Sequence, residues 1–193
     1  QVKDVLWGAI HRAIAGGRVP AAEWGDVNQT EIRMATGEFA IGLSTDVGVR
    51  FQGHHARDGS FLQLIADEAP GVRPDIFEAW EGISAGGDVR HLLLGNPVIA
   101  SGPFFDIFAG DSPLWTRFTI DALDTPNLRG VSLDDLLQLP EGSLDSSVRP
   151  YLVTRRWVLD RYYEWGVDHP LWQSRVRGQF PLQADDALLS LAW

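Results

Sequence analysis

Two adjacent carboxylates follow an apolar run in the stretch FLQLIADEAPGV, residues 61–72. Asp67 and Glu68 stand directly after the apolar residues and before an Ala-Pro-Gly turn. A carboxylate at the end of a strand can hold Mg²⁺, and a neighbouring carboxylate can orient an attacking water. An acidic surface turn produces the same residue pattern, so the sequence leaves both interpretations open at this point.

An amide follows the next apolar run, VRHLLLGNP, residues 89–97. The side chain of Asn96 carries both a hydrogen-bond donor and an acceptor, which suits contact with a phosphate group. Ligands of open α/β sheets bind beyond the carboxyl ends of the strands. Because one helix separates the two runs, we expect neighbouring strands that bring Asp67, Glu68 and Asn96 into one crevice. The chemistry that suits such a crevice is phosphoryl transfer with Mg²⁺.

The elements that must position these residues alternate in type. Short apolar runs predict strands buried on both faces at FLQLIA and VRHLLLG, and a third strand at LWTRFTIDA, residues 114–122. Helices are predicted between them, over 73–87 and 102–110, where proline stands near the start and glycine near the end. This alternation indicates an α/β domain with a mostly parallel sheet.

The flanking regions differ in pattern. Residues 2–15 have apolar side chains at helical spacing, and residues 30–44 predict two short strands around Thr36-Gly37. Beyond residue 125 the pattern predicts helices, with Ser132 as an N-cap and an aromatic-rich helix over 151–166.

Composition excludes several classes of protein. The chain has 193 residues, no cysteine and a net charge of −10, so disulfides, thiolate metal sites and a broad basic nucleic-acid face are not expected. No apolar run approaches the roughly 18 residues that a membrane span requires. The five histidines lack zinc-site spacing and no G-x-S-x-G stretch occurs, which disfavours zinc and serine hydrolase chemistry.

A phosphate-binding loop is not found in this sequence. No G-x-x-x-x-G-K-[ST] stretch occurs, and Lys3 is the only lysine. Either the protein does not bind ATP, or the phosphate loop lies upstream of Gln1. The helical pattern that starts at the first residue and the apolar end QADDALLSLAW suggest a fragment of a longer polypeptide.

Six stretches occur in order along the chain: QVKDVLWGAIHRA, RFQGHH, LIADEAPGVRPDIFEAWEGI, LLLGNPVIASGPFFDIF, FTIDALDTPNL and HPLWQSRVRGQFP. In combination they resemble the ATPase domain of the large terminase subunits of tailed bacteriophages. The third stretch resembles the Walker B motif of that family and the fourth its Gly-Asn-Pro turn. The resemblance covers almost the whole chain, whereas each motif alone has little specificity.

The resemblance implies a fold and a set of site residues. The fold would be a P-loop NTPase-like, mostly parallel sheet flanked by helices and missing the Walker A strand. Asp67 would coordinate Mg²⁺, Glu68 would activate water, and Asn96 would act as the coupling or sensor residue. Gln1 and Gln52 would contact the nucleotide. Without the Walker A strand, the LLLGN strand would present an unpaired apolar edge that another segment or another copy covers.

The resemblance also implies a biological role. The parent protein would hydrolyse ATP with Mg²⁺ to move double-stranded viral DNA into the prohead, in the host cytoplasm and away from membranes. Its partners would be the portal protein, the small terminase subunit and further copies in a ring. The regions would be a partial ATPase core over 1–130, a helical part over 131–182 and the start of a linker to an absent nuclease domain over 183–193. The isolated chain would then be inactive. The alternative is a non-catalytic α/β assembly or interaction module.

Overall fold

A computed structural model describes residues 2–43 and 53–181 of the chain. Contacts between Cα atoms divide it into two compact units, Gln1–Arg50 and Phe51–Trp193. The region boundaries predicted at residues 130 and 182 stay predictions.

The first unit combines a helix with a small antiparallel sheet. A π-helical turn, Val2–Leu6, leads into α1, Trp7–Ala15, which ends where Gly16 donates its N–H to the carbonyl of Arg12. The indole of Trp7 is buried and lies so close to Gly42 that a Cβ there would collide with it. The other elements described up to residue 43 are a 3-10 turn and three strands: Ala21–Trp24, β1 Asp26–Val27, β2 Glu31–Arg33 and β3 Phe39–Ile41.

The predicted helix and hairpin of the first unit are confirmed. β2 and β3 pair antiparallel, with Ile32 opposite Ala40, and β1 pairs with the other edge of β2. The turn between β2 and β3 contains Gly37 at a φ of 103°, which a residue with a side chain adopts only under strain.

The second unit contains a parallel strand pair joined by a crossover helix. β4, Phe61–Ala66, and β5, Asp88–Leu93, pair in register from Phe61 opposite Asp88 to Ala66 opposite Leu93. Between them α2, Pro74–Ser84, begins with proline in its first turn and places Ile76, Trp80 and Ile83 in the core. α3, Pro103–Ala109, follows β5 and adds Phe104 to the same core. The chain therefore has α/β architecture with a small parallel sheet.

The prediction that both strands are buried on both faces was wrong. Leu64 and Ala66 of β4 are buried, whereas Phe61 and Ile65 keep 54% and 59% of their surface exposed. β5 alternates in the same way, with Leu92 exposed. Among the described residues, helices pack on only one face of the sheet, and strand side chains alternate between faces. The continuous apolar run in the sequence does not distinguish one covered face from two.

The predicted third strand at residues 114–122 was also wrong. This segment has no strand pairing in the described structure and reaches only a 3-10 turn at Ala122–Asp124. Arg117 fixes the segment to the end of α3 by donating to the carbonyls of Ile107 and Gly110, the latter at 2.6 Å. Phe118 and Ile120 are left exposed, which their strand-like alternation alone does not reveal. Within the described ranges β5 pairs only with β4, so its other edge is open.

Three further helices follow in the described part of the second unit: α4 Leu133–Gln138, α5 Arg155–Trp165 and α6 Pro170–Arg175. A short 3-10 turn, Glu141–Ser143, lies between α4 and α5. Ser132 caps α4 as predicted, and its partner Asp135 closes a capping box. These helices share an apolar cluster around Leu128, Leu136 and Val158.

Candidate active site

The acidic pair lies at the carboxyl end of β4. Asp67 and Glu68 directly follow Ala66, the last residue of the strand, and both side chains are exposed. One carboxylate oxygen of Asp67 accepts the N–H of Glu68 at 3.1 Å. Within residues 2–43 and 53–181 neither carboxylate takes part in a salt bridge. Both carboxylates therefore remain accessible to a cation or a water.

Glu68 has an unusual backbone conformation. Its φ of 54° and ψ of 43° place it in the left-handed region, and no other non-glycine residue in the described part has a positive φ. This conformation costs an ordinary residue roughly 1–2 kcal/mol. Glu68 directly precedes the 3-10 turn Ala69–Gly71, so its carboxylate lies in the bend formed by residues 67–71 after β4.

Main-chain hydrogen bonds hold this bend against the end of β5. Leu94 donates its N–H to the carbonyl of Ala66 at 2.9 Å, and the N–H of Ala69 donates to the carbonyl of Leu94 at 2.8 Å. The parallel ladder therefore continues past the last strand residues. Asn96 follows two positions after Leu94 and has an exposed side chain, whereas the adjacent Pro97 is buried.

The predicted site residues therefore leave the sheet at one edge. Ala66 stands opposite Leu93 in the parallel register, so the acidic pair and Asn96 emerge from neighbouring strand ends. The expected order of strand, crossover helix and adjacent strand is confirmed. The roles assigned to Asp67, Glu68 and Asn96 stay predictions.

The residues at this edge could supply only part of a Mg²⁺ ligand shell, and a phosphorylated ligand would have to supply the rest. No cluster of three or more histidine, aspartate or glutamate side chains that could hold a metal occurs in the described ranges. Mg²⁺ commonly binds one or two carboxylates and completes its shell with water and phosphate oxygens. The exposed carboxylate of Asp67 meets that requirement when a phosphorylated ligand is present, but it would not form a metal site alone.

The two predicted nucleotide-contacting glutamines, Gln1 and Gln52, lie outside the described residues. The described part of the RFQGHH region continues over 53–60 and leads into the amino end of β4. There Ala56 lies against Gly87, which precedes β5, so this stretch borders the edge of the sheet opposite to Asp67.

A shallow cavity of about 720 Å³ lies at this amino edge, between residues 55–61 and 86–90. Two of its charged groups, Asp88 and Arg90, pair with each other. Arg90 donates to Asp88 at 2.7 Å, which lowers the pKa of that carboxyl, and its guanidinium stacks 4.4 Å above the ring of Phe61. Sequence patterns gave no indication of this cavity.

His91 is a half-buried residue of β5 that packs against aromatic rings. Its ring contacts the rings of Trp80 and Trp115, and its Nε2 lies 2.8 Å from the hydroxyl of Ser84. Burial lowers the pKa of His91, since the charged form loses hydration.

Comparison with known proteins adds one informative match. The chain is similar to the probable terminase large subunit of Enterobacteria phage P7. The two sequences are 29% identical over 145 residues, which cover 71% of this chain and 24% of that protein. The chain thus spans about a quarter of the length of this relative. The similarity is partial and of low identity, and it points to a terminase-like fragment.

Two other comparisons found nothing: no protein-family model and no solved structure matches the chain. In addition, a search of the described helices found none long and apolar enough to cross a bilayer.

Proposed function

We propose that this chain is part of the ATPase motor of a phage DNA-packaging terminase. The observation that carries the proposal is the shared carboxyl edge, where the exposed pair Asp67-Glu68 and the exposed Asn96 leave adjacent parallel strands. The similarity to a terminase large subunit supports the same interpretation independently.

The proposed roles follow from chemistry and position. Asp67 binds Mg²⁺ together with phosphate oxygens of ATP, because a single carboxylate suffices when the nucleotide completes the shell. Glu68 accepts a hydrogen bond from the attacking water and orients it. Asn96 contacts the terminal phosphate through its amide. Gln1 and Gln52 are proposed to contact the nucleotide.

We assign the phosphate-binding loop to residues outside this chain. The 193 residues contain no G-x-x-x-x-G-K-[ST] stretch, whose backbone amides and lysine would neutralise the triphosphate. We therefore expect the isolated chain to bind Mg-ATP poorly and to show negligible turnover. The proposed partners of the complete motor are double-stranded viral DNA, the portal protein, the small terminase subunit and further copies in a ring, in the host cytoplasm.

The test is ATP hydrolysis by the complete polypeptide encoded in the reading frame of this chain. Glu68→Gln should lower kcat by about 10²–10⁴-fold, the usual contribution of a general base, and leave Mg-ATP binding intact. Glu81→Gln, the same change at an exposed position of α2, serves as the matched control and should leave kcat unchanged. A complete polypeptide that does not hydrolyse ATP, or a Glu68→Gln variant with normal kcat, would refute the proposal.

A non-catalytic interaction module is the second candidate. The bond from Glu68 N–H to Asp67 is a local turn interaction, and the exposed apolar face around Phe61, Ile65 and Leu92 is typical of a binding surface. In that case the complete polypeptide would hydrolyse no ATP, which the same experiment measures.

A further inference from the structure

Gly95 lies where the end of β5 touches the acidic bend, residues 67–71. A Cβ built on Gly95 would stand 2.3 Å from Cδ of Pro70 and 3.1 Å from both Cγ of Pro70 and the backbone nitrogen of Ala69. Real Cβ contacts essentially never fall below 3.0 Å, so any side chain at this position would displace the bend. The φ of Gly95 is not positive, so its requirement for glycine comes from space rather than from backbone conformation.

The contact involves the two segments that carry the candidate site. Pro70 stands two residues after Glu68, and Gly95 directly precedes Asn96. Between them the Ala69 N–H donates to the Leu94 carbonyl at 2.8 Å, and Ala69 is almost fully buried. The absence of a side chain at Gly95 leaves room for this bond and for the close approach of Pro70.

We propose that Gly95 is a positioning residue, which sets the carboxylate of Glu68 relative to Asn96 by admitting Pro70 against the backbone. The assignment of a reaction to this site rests on the proposed function, whereas the packing of Gly95 against Pro70 does not depend on it. A displacement on the order of 1 Å at a catalytic group can lower turnover by about 100-fold. Gly95→Ala should therefore lower kcat.

The first measurement is amide hydrogen exchange on the chain itself, at the N–H of Ala69. Gly95→Ala should accelerate exchange of this amide by at least about tenfold, because the hydrogen bond to Leu94 must lengthen or break. Gly71→Ala is the matched control: it adds the same methyl group to the same bend, has no atom within 4 Å and has no positive φ. It should leave the exchange rate unchanged.

A rescue variant separates steric pressure from a general loss of stability. Pro70→Ala removes the Cγ and Cδ atoms that a Cβ at residue 95 would meet. The double variant Gly95→Ala/Pro70→Ala should return exchange of the Ala69 amide to within about threefold of the value for Pro70→Ala alone. Normal exchange in Gly95→Ala, or the absence of rescue in the double variant, would overturn the proposal.

The second measurement is steady-state ATP hydrolysis by the complete polypeptide. Gly95→Ala should lower kcat by at least about tenfold with KM for Mg-ATP within about twofold of wild type, and Pro70→Ala should restore it. A normal kcat together with fast exchange would overturn the positioning role. If wild-type protein hydrolyses no ATP, the proposed function fails, whereas the exchange measurements still decide whether Gly95 sets the packing of the two segments.

Discussion

The backbone N–H of Ala69 donates to the carbonyl oxygen of Leu94 across 2.8 Å and ties the acidic bend after β4 to the end of β5. This bond forms just beyond Ala66 and Leu93, the last pair of the parallel register. Because Glu68 immediately precedes Ala69, the bond also holds Glu68 in its left-handed conformation. Local strain at Glu68 is thus maintained by tertiary contacts.

Substitution of Glu68 should therefore affect stability according to backbone preference rather than charge. Glu68→Val should lower the free energy of unfolding by about 1–3 kcal/mol, because a β-branched residue is strained at positive φ. Glu68→Asn should be nearly neutral, since asparagine tolerates this region. Urea unfolding measures both. Equal stabilities of the two variants would contradict the strain argument, because both remove the carboxylate.

Neighbouring positions of β4 should differ sharply in their tolerance of truncation. Leu64 is 8% exposed and packs in the core, whereas Ile65 is 59% exposed on the other face. Leu64→Ala should cost about 2–5 kcal/mol of unfolding free energy. Ile65→Ala is the matched control and should cost less than about 1 kcal/mol, as expected for an exposed site. A comparable loss for Ile65→Ala would mean that this face is covered in solution.

Asn127 should be essential for the loop before α5. Its side chain is 1% exposed; its amide donates to the carbonyls of Arg149 and Val153, and its carbonyl accepts the N–H of Arg149 at 2.7 Å. Asn127→Ala should cost about 1–3 kcal/mol by leaving these backbone groups unpaired. Asn127→Asp should cost more, because a carboxylate oxygen would face carbonyl oxygens.

Urea unfolding of both Asn127 variants, with the exposed Asn96→Ala as control, measures this effect. The control should change the unfolding free energy by less than about 0.5 kcal/mol. An Asn127→Asp variant as stable as wild type would show that the buried amide is not needed for this loop.

His91 should make stability depend on pH on the acidic side. Burial lowers its pKa below the ordinary value of 6.5 in the folded chain, so the unfolded chain takes up the proton first. The unfolding free energy should therefore be fully retained above pH 6.5 and should fall as pH decreases from there towards the lowered pKa.

His91→Gln provides the comparison for this pH effect. Glutamine keeps a hydrogen-bonding group near Ser84 but does not titrate, so the variant should lose this component of the pH dependence. Urea unfolding at several pH values between about 5 and 8 measures the difference. Identical pH profiles for the variant and wild type would contradict the assignment to His91.

Local patterns were sufficient for much of the fold. The hairpin around Gly37, the crossover helix that begins at Pro74 and the capping of α4 by Ser132 all depend on interactions between residues close in sequence. Such signals are readable because proline, glycine and capping side chains act on their immediate neighbours. The order of the two apolar runs and the helix between them also sufficed to predict adjacent parallel strands.

Long-range contacts decided what the sequence patterns could not. The segment over 114–122 alternates like a strand, yet Arg117 binds carbonyls at the end of α3 instead of allowing that segment to pair in the sheet. The exposed face of β4 depends on which helices pack against the sheet. An apolar run reports the tendency to be buried, but not the identity or the number of the layers that bury it.

The candidate site likewise combines features that the sequence determines with features that only the folded chain determines. The sequence alone determined that two carboxylates and an amide follow consecutive apolar strands, because strand ends and turn residues are encoded locally. Only the tertiary structure decided that Glu68 adopts a left-handed conformation and that Gly95 admits Pro70 against the backbone. These features arise where two segments more than twenty residues apart in the sequence meet, and their steric fit exists only after the parallel register is formed.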